Sequence, residues 1–259
     1  MSKLKLKVKP DNFSLFVSKI EDIASIHDSV RIKIDSDNIL IYSMLGKGNV
    51  MIAFKNFLLN TSDYILGDFD YTIDMIIPNA KKFVKNLSFI REMDKITFDL
   101  NYKVSDDDDD LYEVRSIQLA SGKFKVNWMT GELYSVRDIT KAMLAKILNP
   151  VEKKWEFNIT NSDFLDIKKL SNINSELIIN MDIDKGKVLF YEKSSWELEI
   201  DQIEAERNAT LILNKRFLGC INDKMVNIPF GIYENFMLIS DNDSNLLLSF
   251  EQTLDQDDD

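Results

Sequence analysis

Three basic clusters stand out in an acidic chain: Lys81, Lys82 and Lys85; Lys168 and Lys169; Lys215 and Arg216. The whole sequence holds 32 Lys and Arg against 43 Asp and Glu, a formal charge of −11. Each cluster falls in a stretch whose apolar residues recur at helical spacing, on the side away from the apolar stripe. Ammonium and guanidinium groups displayed that way contact anionic oxygens by charge, without reading a sequence of bases or side chains. Four helical windows (13–26, 79–93, 162–173 and 214–225) carry ten basic residues, adding Lys19, Arg91 and Lys224, against six acidic ones. They are net positive while the rest of the chain is strongly negative. In the second, third and fourth windows the bases are expected in the first turn or two, where the helix macrodipole disfavours them. Stability alone would not place them there.

Bond-making chemistry finds little support. His27 is the single histidine and Cys220 the single cysteine. His27 follows the first helical window and reads as a surface or capping residue rather than a base. A lone cysteine gives no intramolecular disulfide and no cysteine-rich zinc site, and it fits a reducing, intracellular compartment. The five aspartates Asp106–Asp110 lack the spaced ligands and turn glycine of a calcium loop and read as a solvated hairpin loop. Gly46-Lys47-Gly48 has neither the spacing nor the following helix of a phosphate loop. Trp128, Trp155 and Trp196 fall in strands, as core or edge residues. No catalytic residue, metal or cofactor is expected. No apolar run approaches the roughly 20 residues that span a bilayer, and the start, Met1-Ser-Lys-Leu-Lys, does not read as a signal peptide.

The elements that must position the basic clusters repeat along the chain. Trp155–Thr160 alternates apolar and polar residues at period two, as a half-buried strand does. Asn161-Ser162-Asp163 offers capping oxygens, and Phe164, Ile167, Leu170 and Ile173 draw one helical stripe. Three short β runs follow, 176–183, 187–191 and 196–200. The same strand–helix–strand–strand–strand unit begins at Lys3–Lys9, where lysines hold the odd positions; its helix buries Phe13, Phe16, Val17, Ile20 and Ile23, and its strands are 29–35, 38–44 and 49–55. A connector of unassigned shape, 56–69, leads to the second copy: strand 70–77, a helix after Pro78-Asn79, and strands 95–104, 111–120 and 123–128. The fourth copy has strand 209–214, helix 214–225 and strands 228–234, 236–241 and 245–251. Residues 129–152 break the pattern, with a short helix over 138–148 stopped by Asn149-Pro150. The expected architecture is α+β: similar domains at 1–128 and 153–254, a linker at 129–152 and an acidic tail at 255–259. Antiparallel sheets carrying both helices on one face would turn all the lysine-bearing stripes the same way.

Four observations carry a family resemblance: the four copies of the unit, the Ile39–Met44 strand with its turn, Phe164–Asn172 with Lys168 and Lys169, and the closing strand Leu246–Glu251 before acidic residues. In these the chain resembles a DNA sliding clamp, the ring-shaped DNA polymerase processivity factor of the proliferating-cell-nuclear-antigen and bacteriophage type. The resemblance covers nearly the whole chain. It implies the DNA-clamp fold, a homotrimeric ring around double-stranded DNA held without sequence preference, no enzymatic activity and no membrane. Polymerase and clamp loader would dock through short peptides, inside a cell (the host cytoplasm for a bacteriophage protein). The DNA-facing residues would be Lys81, Lys82, Lys85, Lys168, Lys169, Lys215 and Arg216. By position, the partner pocket would take Met44, Leu45, Ile147, Leu148 and Phe250. Subunits would pair the last strand of the first domain with a middle strand of the second, around Val126 and Leu189. Two features differ from the family: the first helix sets only Lys19 against Glu21 and Asp22, and the linker is longer than is usual in the eukaryotic type. A second reading of the same fold is a non-encircling processivity subunit, or a scaffold that recruits transcription or repair proteins.

Overall fold

A computed structural model describes residues 2–47, 50–67, 69–90, 96–173, 178–184, 187–193, 195–202, 209–222, 224–241 and 243–254. Arg91, Glu92, Asp223 and the acidic tail 255–259 lie outside the described residues. The chain divides into two compact units, Met1–Leu45 with Lys55–Ile139, and Gly46–Phe54 with Thr140–Asp259.

The first unit begins with β1 (Ser2–Val8), whose period-two pattern buries Leu6 and Val8 and exposes Lys3, Lys5 and Lys7. Pro10 opens α1 (Pro10–Ile23), where its fixed φ suits the first helical position and its missing N–H costs nothing. β2 (Val30–Ile34), β3 (Asn38–Lys47) and β4 (Val50–Asn60) follow. The connector at 56–69 proves ordered: β4 runs on to Asn60 and leads to α2 (Thr61–Tyr64) and β5 (Ile65–Leu66). The second copy comprises β6 (Thr72–Ile77), α3 (Ala80–Leu87) with a 3-10 turn at Ser88–Ile90, β7 (Ile96–Val104), β8 (Leu111–Ser121) and β9 (Phe124–Met129). Strand order in this unit is β4-β3-β2-β6-β8-β7-β1-β5, with β9 paired to β8. The two copies meet antiparallel at β2–β6 and β1–β7. Within the second copy β6 and β8 run parallel, Thr72 opposite Leu111, which departs from the all-antiparallel expectation. Phe13, Phe16 and Ile20 of α1 and Phe83, Val84 and Leu87 of α3 bury against Leu6, Phe98, Leu100, Ile117 and Leu119. Both helices therefore cover one face of the sheet.

The opposite face of β1, β7, β8 and β9 lines up in register. One row runs Lys7, Thr97, Ala120, Lys125; the next Lys5, Asp99, Gln118, Asn127; the third Lys3, Asn101, Ser116, Met129. Because strand side chains alternate, all twelve point away from the helices.

In the second unit α4 (Lys141–Leu148) is capped by Thr140, whose Oγ1 accepts the Met143 N–H at 3.2 Å. β10 (Trp155–Thr160) leads into α5 (Asn161–Ser171). The α5 cap is Thr160 rather than the following Asn-Ser-Asp run: its Oγ1 accepts the Asp163 N–H at 3.2 Å and donates to the Asp163 carboxylate at 2.6 Å, a reciprocal arrangement close to a capping box. β11 (Ile178–Asp184), β12 (Lys187–Glu192), β13 (Trp196–Gln202) and β14 (Ala209–Asn214) follow, then β15 (Asn227–Ile232), β16 (Phe236–Asp241), β17 (Ser244–Ser249) and β18 (Glu251–Leu254). They form two antiparallel arrays, β13-β12-β11-β14-β18 and β10-β15-β16-β17.

Two expectations fail in this unit. The helix foreseen over 214–225 is a single 3-10 stretch, Lys215–Cys220. Gly219 weakens helix there and Asn222 competes for backbone bonds, so Ile221 leaves in extended geometry. The middle strand around Leu189 was expected to pair with a neighbouring subunit, but β12 pairs with β11 on one side and β13 on the other. The hairpin order puts the third strand of the unit outermost. Among the described residues the edges of this array are β13 and β18, and Leu189 has no free ladder.

Candidate nucleic-acid interface

α3 displays its bases most openly. Asn79 takes a left-handed conformation at φ 50, which Asn tolerates better than most residues. It turns the chain so that the Asp28 carbonyl accepts the Ala80 N–H at 2.8 Å and the Asp28 carboxylate accepts the Lys81 N–H at 3.1 Å. That carboxylate supplies the negative charge a helix start favours, offsetting the two lysines beside it. Ala80, Phe83, Val84 and Leu87 are buried. Lys81, Lys82 and Lys85 lie on the exposed side and form no ion pair among the described residues. Lys81 and Lys85 are one turn apart on the same stripe.

The other basic residues differ. Lys168 is half-buried with Nζ 5.5 Å from the Phe164 ring centre, and Lys169 pairs with Asp166 at 2.8 Å. Both lie in the last turn of α5, not the first. There the macrodipole favours them, so the stability argument for a ligand fails for this helix. Lys215 has only 15% of its side chain exposed and stands 4.0 Å from the buried Glu192 carboxylate; Arg216 beside it is exposed. In α1, Lys19 lies over the Phe57 ring at 4.1 Å, and Asp22 pairs at 2.7 Å with Lys55 from β4. The face of α1 is therefore mixed in charge, as its sequence indicates.

A second cluster, which the sequence reading missed, sits on the helix-free face of the first unit. Arg31 of β2 is 4% exposed. Its Nε and Nη2 donate to the two oxygens of Asp74 at 2.9 and 2.6 Å, a bidentate pair, and Nη1 donates to the carbonyls of Leu133 and Val136 at 3.2 and 2.8 Å. Asp138 lies 3.4 Å from the same guanidinium and also pairs with Lys33. Tyr42 donates to the Arg137 carbonyl at 3.3 Å. Burial works against the Asp138 carboxylate, but the Lys33 hydrogen bond and the Lys33 and Arg31 charges outweigh it and hold its pKa below the usual value. Burial pushes the Tyr42 hydroxyl far up. Upstream, Gly131 bridges to Ile76, where a Cβ would meet the Ile76 side chain at 3.1 Å. Residues 131–138 are thus tied across β2, β3 and β6.

Of the expected pocket residues, Met44 and Leu45 are half-buried in the first unit; Ile147 and Leu148 are half-buried and Phe250 buried in the second. Met44 shares a face of β3 with Tyr42, two residues away and so about 7 Å along the strand. Val126 is buried in β9, which pairs with β8 alone among the described residues. His27 is exposed, its Nδ1 accepting the Ser29 N–H at 3.2 Å, and Cys220 is buried. Among the described residues no group of three His, Cys, Asp or Glu could hold a metal ion. No helix is long and apolar enough to cross a membrane. The aspartate run closes the β7–β8 hairpin, with Asp106 paired to Lys103 at 2.7 Å.

No protein-family model and no curated relative matches the chain. Solved structures do match. The proliferating cellular nuclear antigen of Entamoeba histolytica superposes with a TM-score of 0.64 at 12% identity, over 96% of this chain and 98% of that one. The Helicobacter pylori beta clamp bound to a DNA ligase peptide gives 0.65 at 13% identity, over 95% and 65%. The DNA polymerase III beta chain of Streptococcus pneumoniae gives 0.63 at 10% identity, over 98% and 66%. The chain therefore spans about two thirds of the length of the bacterial structures and nearly all of the Entamoeba one. Its fold is the DNA-clamp fold.

Proposed function

We propose that the chain is a DNA sliding clamp: copies of it close into a ring around duplex DNA and hold a DNA polymerase there. The observation that carries this is the end-to-end match of one chain to one chain of proliferating cellular nuclear antigen. The exposed lysines of α3 on the helix face support it. A ring needs no tight grip and no chemical step. It needs a surface that attracts phosphates weakly and without sequence preference, which lysines supply through salt-sensitive contacts. The expected number of copies is three. We assign closure to the free edges of β9 and β13, whose mutual pairing would satisfy two open ladders at once. Polymerase and loader would dock through short peptides, as the Helicobacter neighbour holds a ligase peptide. Met44 is the proposed contact in the first unit. It shares a strand face with Tyr42, which bonds to the Arg137 carbonyl, and its flexible thioether suits several partners.

Solution mass by light scattering, with electron micrographs of the particle, tests the reading. A ring at three times the 30.0 kDa chain is expected. A monomer at every concentration, also in the presence of DNA, would favour the non-encircling processivity subunit or recruitment scaffold instead.

A further inference from the structure

The helix-free face of β1, β7, β8 and β9 holds a trough of about 560 Å³ lined by Lys3, Lys5, Asp99, Asn101, Gln118 and Asn127 among others, within the roughly 300–1,000 Å³ range of ligand pockets. Lys3 and Lys5 stand on one side of it, about 7 Å apart at alternate positions of one strand; Lys7 continues that column past the trough, with Lys125 at the far end of its row. Among the described residues only Lys5 of these pairs with an acid, Asp99 at 3.6 Å, and both stay well exposed. The floor is short and polar: Asn101 donates to Ser116 at 2.7 Å and Gln118 to Asn127 at 2.8 Å. Four exposed lysines against Asp99 on one strand face are anomalous on a chain of charge −11, and they lie on the face opposite the lysines of α3.

We infer that this trough is a docking site for an extended acidic peptide of a partner protein. An extended chain places alternate side chains at the same spacing as the lysine column, so its carboxylates meet Lys5 and Lys7 while the floor amides bond its backbone. Single-stranded nucleic acid fits less well. It is held by stacking on aromatic rings, and Trp128, which lines the trough, packs its ring on Phe83 on the helix side. Asp99 in mid-floor also repels a continuous phosphate chain more than a peptide that can place a neutral residue there. This assignment does not depend on ring formation.

Fluorescence anisotropy with the full chain and a labelled octaglutamate peptide tests it. The triple variant K3S/K5S/K7S, altered only at exposed side chains, should weaken binding about ten-fold or more, since each exposed ion pair contributes modestly. K125S should weaken it less. The α3 variant K81A/K82A/K85A should bind the peptide as the parent does. Equal loss in the α3 variant, no loss in the triple variant, or a trough that holds labelled oligo-dT in preference to the peptide would each overturn the inference. Loss of self-association as the main consequence of K3S/K5S/K7S would also overturn it, because the occupant would then be a second copy.

Discussion

α3 in the first unit and the 215–220 stretch in the second hold corresponding places in the repeat, each an asparagine followed closely by two bases. They end up in opposite states. Lys81 and Lys82 face solvent, whereas Lys215 is largely covered beside Glu192. The difference lies in who answers the buried acids. In the first unit a strand residue does: Arg31 answers Asp74. The helix bases are left over. In the second unit the buried Glu192 draws on the base at the start of the short helix. A basic stripe stays open to solvent where no buried carboxylate claims it.

The comparison is broken most severely by removing the first unit's own answer. Arg31→Ala leaves the buried Asp74 with only Lys33, 3.8 Å away, and should cost about 3–5 kcal/mol, read from urea unfolding. Replacing the pair together with Met and Leu should cost much less, although the Leu133 and Val136 carbonyls would still lose a donor. Next, Lys215→Ala should destabilise by roughly 1–3 kcal/mol while barely changing DNA affinity. A loss of DNA affinity with unchanged stability would reverse the contrast between the two regions. The variant K81A/K82A/K85A should do the opposite: stability unchanged, duplex DNA affinity at low salt down roughly 10- to 30-fold, and the salt slope reduced by about 2–3. K168A/K169A should fall between, because Lys169 is already paired with Asp166.

The β strands and the buried faces of α1, α3 and α5 were legible because period-two and 3.6-residue patterns are local. Lys3, Lys5 and Lys7 read correctly as the exposed side of a half-buried strand for the same reason. What was not legible depends on register. Arg31 and Asp74 are 43 residues apart and each looked like an ordinary polar position in an alternating strand. The trough exists only because four strands bring their rows level. The last helix shrank because one glycine outweighed an apolar spacing that looked helical. Leu189 was misplaced because strand order within a sheet is a tertiary fact.

The smallest effect concerns pH. Asp138 titrates below the unfolded value of about 3.9. The stabilisation it gives is therefore complete above that value and lost as the pH falls through its lower folded pKa. Thermal unfolding should show this acid-side loss in the parent and less of it in Asp138→Asn. Identical acid profiles would mean that the tether over 131–138 does not rely on this carboxylate.

Encirclement is a topological property, and a circular template tests it directly. The protein is assembled on a nicked circular plasmid, washed at about 1 M salt, where phosphate contacts are screened within about 3 Å, and the plasmid is then linearised. An encircling clamp stays on the circle through the wash and is lost when the DNA is cut. Release from the uncut circle at the salt that also strips a linear fragment would contradict it.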